Sequence, residues 1–202
     1  LMRKFYQRLA AQLTAENKID SAEKVLTYCN EILPASCFNY IQDHQIGYSQ
    51  TCVYYIQDFF LLNTPSGKEK GLAMATEYWN EFVETMAWYD RNVSERFLNN
   101  YNESITYNLV FMEQLIEILN KYDAKLADSD LQKLKFDNFA NAFISKMDQR
   151  ISQYFNRPDA SQDELTNAFQ ALKTIKDITA MCHQESLAQK CTQIAEKHLK
   201  VM

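Results

Sequence analysis

Glycine and proline are scarce, with three of each among 202 residues, about 3% together against roughly 12% in an average protein. Folds rich in tight turns need glycine for positive φ and proline for fixed φ, so β-sandwiches, β-barrels and glycine-looped nucleotide folds are excluded. Basic charge is also in deficit. Twenty-one Lys and Arg stand against 26 Asp and Glu, a net charge of −5. The basic residues are interspersed with acids, which leaves no surface to neutralise phosphates and argues against nucleic acid as a partner. The longest stretch without Asp, Glu, Lys or Arg is the 14 residues from His44 to Gln57, short of the roughly 20 apolar residues that cross a bilayer. The five cysteines, Cys29, Cys37, Cys52, Cys182 and Cys191, form no C-x-x-C pair and are odd in number, so no disulfide framework is indicated. Cys29, Cys182 and Cys191 fall at helical spacing among apolar neighbours and are expected as small core residues.

What is present is apolar and aromatic: 47% hydrophobic residues, with 12 Phe, 12 Tyr and 2 Trp to fill a core. With turn residues so rare, the fold class is all-α. Phe5, Leu9 and Leu13, with Tyr6 and Ala10 beside them, form one apolar stripe of a first helix over Met2 to Glu16. Leu9 on that stripe is expected to be buried, so that Leu9→Asp would unfold the hairpin. Asn17 ends the helix and Asp20 is the expected cap of the next, which runs from about Ser21 to Leu33 over Ala22, Val25, Leu26 and Cys29. Pro34 closes it.

A third helix is expected from about Tyr48 to Leu62, and a fourth to about Tyr89, opened by a capping box of Ser66 and Glu69. Glu77, Glu81 and Glu84 on the fourth read as a solvated acidic face. A pattern from Ser94 to Tyr122 predicts a long fifth helix, with Asn99, Asn100 and Asn102 leaving a start near Glu103 open. A sixth spans about Asp130 to Asn156. Ser161 and Glu164 make a second capping-box pattern, and a slip in register near Cys182-His183-Gln184 divides Gln162 to Val201 into two helices that bury Leu187, Cys191, Ile194 and Leu199. The count is eight helices in one domain over 1–202, with hairpins in 1–90 and a long-helix bundle in 91–202.

The first hairpin is more specific than a generic pair. Tyr6, Leu9, Ala10, Leu13, Ala22, Leu26, Cys29 and Pro34 occupy, in order, the eight defining positions of a 34-residue tetratricopeptide repeat, which the segment resembles over its whole length. Ala10 replaces the usual Gly and Cys29 the usual Ala. Val53, Ile56, Phe60, Gly71 and Ala75 lay the next pair on the same pattern in a degenerate way, and no repeat follows beyond Asn92. The resemblance implies an α-α superhelix of tetratricopeptide-like hairpins followed by longer capping helices.

A wider resemblance covers about residues 1–155. Arg3-Lys4-Phe5-Tyr6-Gln7-Arg8-Leu9-Ala10, Asp20-Ser21-Ala22-Glu23-Lys24-Val25-Leu26 and Tyr78-Trp79-Asn80-Glu81 are similar to the C-terminal tail of bacterial multi-spanning membrane proteins whose N-terminal region is similar to protein O-mannosyltransferases. This implies a segment excised from a longer chain and tethered to a membrane region upstream, on the extracytoplasmic face, with the catalytic acids in the missing part. A cytoplasmic location is the alternative.

Chemistry within the segment has weak signals. No Glu-x-x-His or His-Glu-x-x-His metal motif occurs. Cys182, His183, Cys191 and His198 are the only cluster of soft ligands, and core cysteines with boundary histidines explain them more simply. Glu113 and Glu117 share a helix face without a cleft, and Gly67-Lys68 lacks the upstream glycine of a phosphate cradle. No catalytic, metal or cofactor residue is assigned and no cofactor is expected. Tetratricopeptide arrays bind extended segments along the first helix of each pair. The residues facing that way are Lys4, Gln7, Ala11 and Thr14, then Tyr54 and Asp58, with Tyr40, Tyr48 and Tyr55 as further aromatic candidates. The leading reading is a non-catalytic domain docking a protein or peptide segment for a membrane glycosyltransferase. The alternatives are a stand-alone helical scaffold and, last, a small helical enzyme or metal protein.

Overall fold

A computed structural model describes residues 2–41, 46–92, 95–126, 130–156, 162–181 and 184–200. The fold is all-α, with eight helices and no strand among the described residues: α1 Met2–Ala15, α2 Ile19–Ile32, α3 Ile46–Leu61, α4 Pro65–Asn92, α5 Glu95–Lys121, α6 Asp130–Tyr154, α7 Gln162–Met181 and α8 Glu185–Leu199. None of the described helices is long and apolar enough to cross a membrane. The fifth helix begins at Glu95, the earlier of the two starts the sequence left open.

The chain divides into two compact units. The first comprises Leu1–Thr85 and Gln114–Ser129, the second Met86–Glu113 and Asp130–Met202, so α4 and α5 each contribute to both. In the first unit α1 packs along both α2 and α3. Asn17 takes a positive φ of 60° and the Lys18 amide reaches back to the Leu13 carbonyl at 2.8 Å, which ends α1 in a left-handed turn. Asp20 does not cap α2. The N-cap is Lys18, which makes no side-chain bond, and Asp20 sits in the first turn, where its charge favours the helix dipole.

The start of α4 also differs from expectation. Pro65 fits the first helical position, whose amide needs no partner, so the helix begins two residues early and Thr64 becomes the cap, its Oγ1 accepting the Gly67 amide at 2.9 Å. Ser66 is left free of capping and donates to Glu23 at 2.6 Å. Gly67 and Gly71 then let α4 lie against α3. A Cβ at Gly67 would stand 2.6 Å from the Phe59 carbonyl, and one at Gly71 3.0 Å from the Phe60 ring. Ala10, Ala22, Leu26, Cys29, Val53, Ile56, Phe60, Ala75, Trp79 and Phe82 are all buried in this unit.

The apolar stripe of α1 is not its buried face. Phe5 is 64% exposed and Leu9 38%, whereas Arg3 and Ala10 are buried. The helix turns its small residue inward so that it can approach its neighbours closely, and the large ones follow outward by geometry. In the second unit α6, α7 and α8 pack on one another over Phe136, Phe139, Phe143, Leu172, Ile175, Leu187, Cys191 and Ile194. Leu199 is 59% exposed instead of buried, and His198 one position earlier takes the inward place. The Ser161 and Glu164 capping pattern lies outside the described side chains.

Candidate functional site

The six residues named from sequence sit on α1 and α3, which lie side by side. Gln7 and Asp58 are brought together, the Gln7 amide donating to the Asp58 carboxylate at 2.9 Å. Asp58 is buried, and burial pushes its carboxyl up to about 6, with the Gln7 bond only partly opposing this. It is a bridge between two helices, and a ligand would reach Gln7 before it. Lys4 and Ala11 are exposed and Thr14 is half-buried, its hydroxyl returned to the Ala10 carbonyl at 2.9 Å. Tyr54 is 43% exposed, one helical turn before Asp58. Together these make a mostly polar strip with one aromatic platform.

The other tyrosines have different fates. Tyr40 and Tyr55 are fully buried and Tyr48 half-buried, and all three rings face Arg3, whose guanidinium carbon lies 5.1, 5.9 and 5.5 Å from the centroids of Tyr40, Tyr48 and Tyr55. The arginine is 1% exposed, and its Nη2 donates to the Leu33 carbonyl at the end of α2 at 2.7 Å. Among the described residues its Nε and Nη1 complete no hydrogen bond of good geometry, the Tyr48 side chain being the polar group that comes nearest to making one. The charge is therefore held by ring faces and one carbonyl, a cation–π arrangement at a desolvated site.

Two carboxylates on α4 complete this cluster. Glu81 accepts the Tyr40 amide on one oxygen and the Ile41 amide on the other, both at 2.8 Å, and Glu77 accepts the Tyr40 hydroxyl at 2.9 Å. Two acids of the row read as a solvated face are thus pins on the connection after α2. Burial raises the Glu81 carboxyl, while the Ile41 and Tyr40 amides and Arg3 oppose it.

The two buried thiols of this region, Cys29 and Cys52, are poor nucleophiles. Burial pushes Cys52 up to about 12 against the pull of Arg3 and Tyr48, and burial raises Cys29 as well. Both remain protonated at neutral pH. Arg3, Glu77 and Glu81 were not singled out as site residues in the sequence. The available signal was Ala10: a small residue required at a helix crossing places the residue seven positions earlier, Arg3, on the same buried face.

In the second unit, His198 Nε2 lies 2.6 Å from Asp148, which also receives Lys197 at 3.0 Å, and the His198 ring stacks on Phe155. Burial would raise Asp148, but the bonds from His198 and Lys197 outweigh it and hold the carboxyl low. Cys191 is buried and its thiol is pushed up to about 11. Cys182 and His183 lie outside the described residues, and among the described residues no group of three or more metal-type side chains converges. An open concavity of about 390 Å³ lies beside α2, lined by Asp20, Glu23, Thr27, Tyr28, Glu31 and Lys70. Its central Glu23 is already bound by Lys70, Ser66 and Thr64.

No protein-family model, curated protein or solved structure matches the chain. The architecture defines the class: all-α, with eight helices among the described residues.

Proposed function

We propose that the first unit is a non-catalytic docking module that binds an extended protein or peptide segment along α1 and α3. The observation that carries this reading is the α1–α3 seam itself. Gln7 and Asp58 lock the two helices together, and Lys4, Ala11 and Tyr54 stand exposed along the result. Burial of Ala10, Ala22 and Cys29 in the first hairpin supports a tetratricopeptide-like crossing, in which the first helices of successive hairpins share one binding face. A segment bound there stacks on Tyr54, with its acidic groups toward Lys4 and its backbone amides toward Gln7. Service to a membrane glycosyltransferase, with the domain on the extracytoplasmic side presenting the acceptor protein, rests on the sequence phrases of α1, α2 and α4.

The test is selection of peptides from a random display library on the 202-residue chain, followed by binding to variants. Selected peptides should lose about tenfold in affinity on Tyr54→Ala and less on Lys4→Ala. Peptides indifferent to both substitutions would place the binding face elsewhere.

A further inference from the structure

We propose that Asp58 and Tyr54 receive the side chain of an arginine carried by the segment that docks along α1 and α3, an inference that rests on the docking reading above and specifies its ligand. Among the described residues, the buried side chains of the Asp, Glu, Lys, Arg and His type are Arg3, Asp58 and His198. Two of these have a π or charged partner. The Arg3 guanidinium stands over three rings, and His198 meets Asp148 at 2.6 Å. Asp58 has neither. No cation pairs with it among the described residues, and its carboxylate accepts the Gln7 amide alone, on Oδ2 at 2.9 Å.

That arrangement is costly while the strip is empty. A carboxylate taken out of water needs a counter-charge or several donors, and it can accept about four hydrogen bonds. The Gln7 bridge does not account for the charge, because an asparagine at 58 would accept the same amide and bury no ion. Burial pushes the carboxyl up to about 6, so at neutral pH the group is an anion whose attraction for a cation is weakly screened. Its second oxygen, Oδ1, accepts no hydrogen bond and is not sealed from solvent, which leaves it open to a donor arriving past Gln7.

Tyr54 selects the kind of cation. It precedes Asp58 by one helical turn on the same face of α3, is 43% exposed, and its hydroxyl accepts the Gln50 amide at 3.4 Å. A planar guanidinium lies on such a ring while one edge donates to the carboxylate, whereas an ammonium is a point charge that serves one or the other. Lys4, exposed on the neighbouring helix, remains for an acidic group of the same segment. Arginine therefore binds better than lysine, and a neutral residue of the same shape binds worst.

Peptides selected by display on the 202-residue chain test this by isothermal titration calorimetry at neutral pH. Those that lose affinity on Tyr54→Ala should share an arginine. Citrulline in its place keeps the shape, removes the charge and should weaken binding by about tenfold or more, with lysine falling between. Asp58→Asn, whose thermal melt should be no lower than the parent's, should weaken the arginine peptide by a similar factor and leave the citrulline peptide unchanged, so that the two changes together cost no more than either alone. Tyr54-dependent peptides that lack an arginine, that tolerate citrulline, or that are indifferent to Asp58→Asn would overturn the proposal and leave the docking reading standing. Peptides indifferent to Tyr54 would overturn both.

Discussion

Arg3 donates to the carbonyl of Leu33 across 30 residues of chain, closing the start of α1 onto the end of α2 at 2.7 Å. The rings of Tyr40, Tyr48 and Tyr55 surround the same guanidinium, so one buried cation joins α1, α2, the connection after it and α3. Arg3→Ala should cost about 3 kcal/mol, because it removes the cation–π partner of three rings and strands a carbonyl. Arg3→Lys should recover less than half of this, since a compact ammonium lacks the planar fork. Urea denaturation of both variants checks it, and a stability loss below about 1 kcal/mol for Arg3→Ala would remove the cation from its central place.

Asp58 makes stability depend on pH in an unusual direction. Its folded carboxyl titrates near 6, above its unfolded value near 4. Between these values the native state binds more protons than the unfolded state, so the contribution of this group is fully present below about pH 4 and is lost as pH rises through 6. The shift corresponds to at most about 3 kcal/mol. Asp58→Asn should therefore stabilise the chain at pH 7 by about 1–2 kcal/mol and leave it unchanged near pH 4. Denaturation of parent and variant at the two values would show this, and an equal difference at both would contradict it.

Glu81 holds two consecutive amides, one on each oxygen. A glutamine presents only one acceptor, so Glu81→Gln leaves one of the Tyr40 and Ile41 amides facing an NH2 group. Loss of one buried bond costs about 1–3 kcal/mol. Amide exchange at Tyr40 and Ile41 should speed up by about tenfold or more, while amides in α6 stay unchanged.

Gly67 is required for the approach of α4 to α3, not for a special φ. Alanine would gain about 1 kcal/mol in helix propensity, but its Cβ would lie 2.6 Å from a backbone carbonyl, which has little room to move. Gly67→Ala should therefore lower the melting temperature. Leu9→Asp should cost only about 1 kcal/mol, because Leu9 faces outward, whereas Leu26→Asp should unfold the first unit. Thermal melts of the three variants rank these effects.

Much of the fold could be read in advance for a simple reason. With three glycines and three prolines, the few breaks at Asn17, Pro34, Thr64-Pro65 and Asp123 had nowhere else to fall, and periodicity filled the intervals. For the inward face of α1 the sequence carried two conflicting signals, because hydrophobicity pointed to Phe5 and Leu9 while the small residue at the crossing, Ala10, marked the face that packs. The same conflict concealed Arg3, whose burial depends on rings from Tyr40 to Tyr55, distant in sequence. Glu77 and Glu81 had the spacing of a solvated face, and only the placement of the connection after α2 gives them partners. Asp58 was named as a surface residue because helical phase carries no information on which neighbour covers a turn.

The docking role of the α1–α3 strip is tested most directly by amide hydrogen exchange of the chain with and without a selected peptide. The account predicts added protection in residues 4–14 and 50–58 and none in residues 136–151. Protection confined to the second unit, or spread evenly over both, would contradict it.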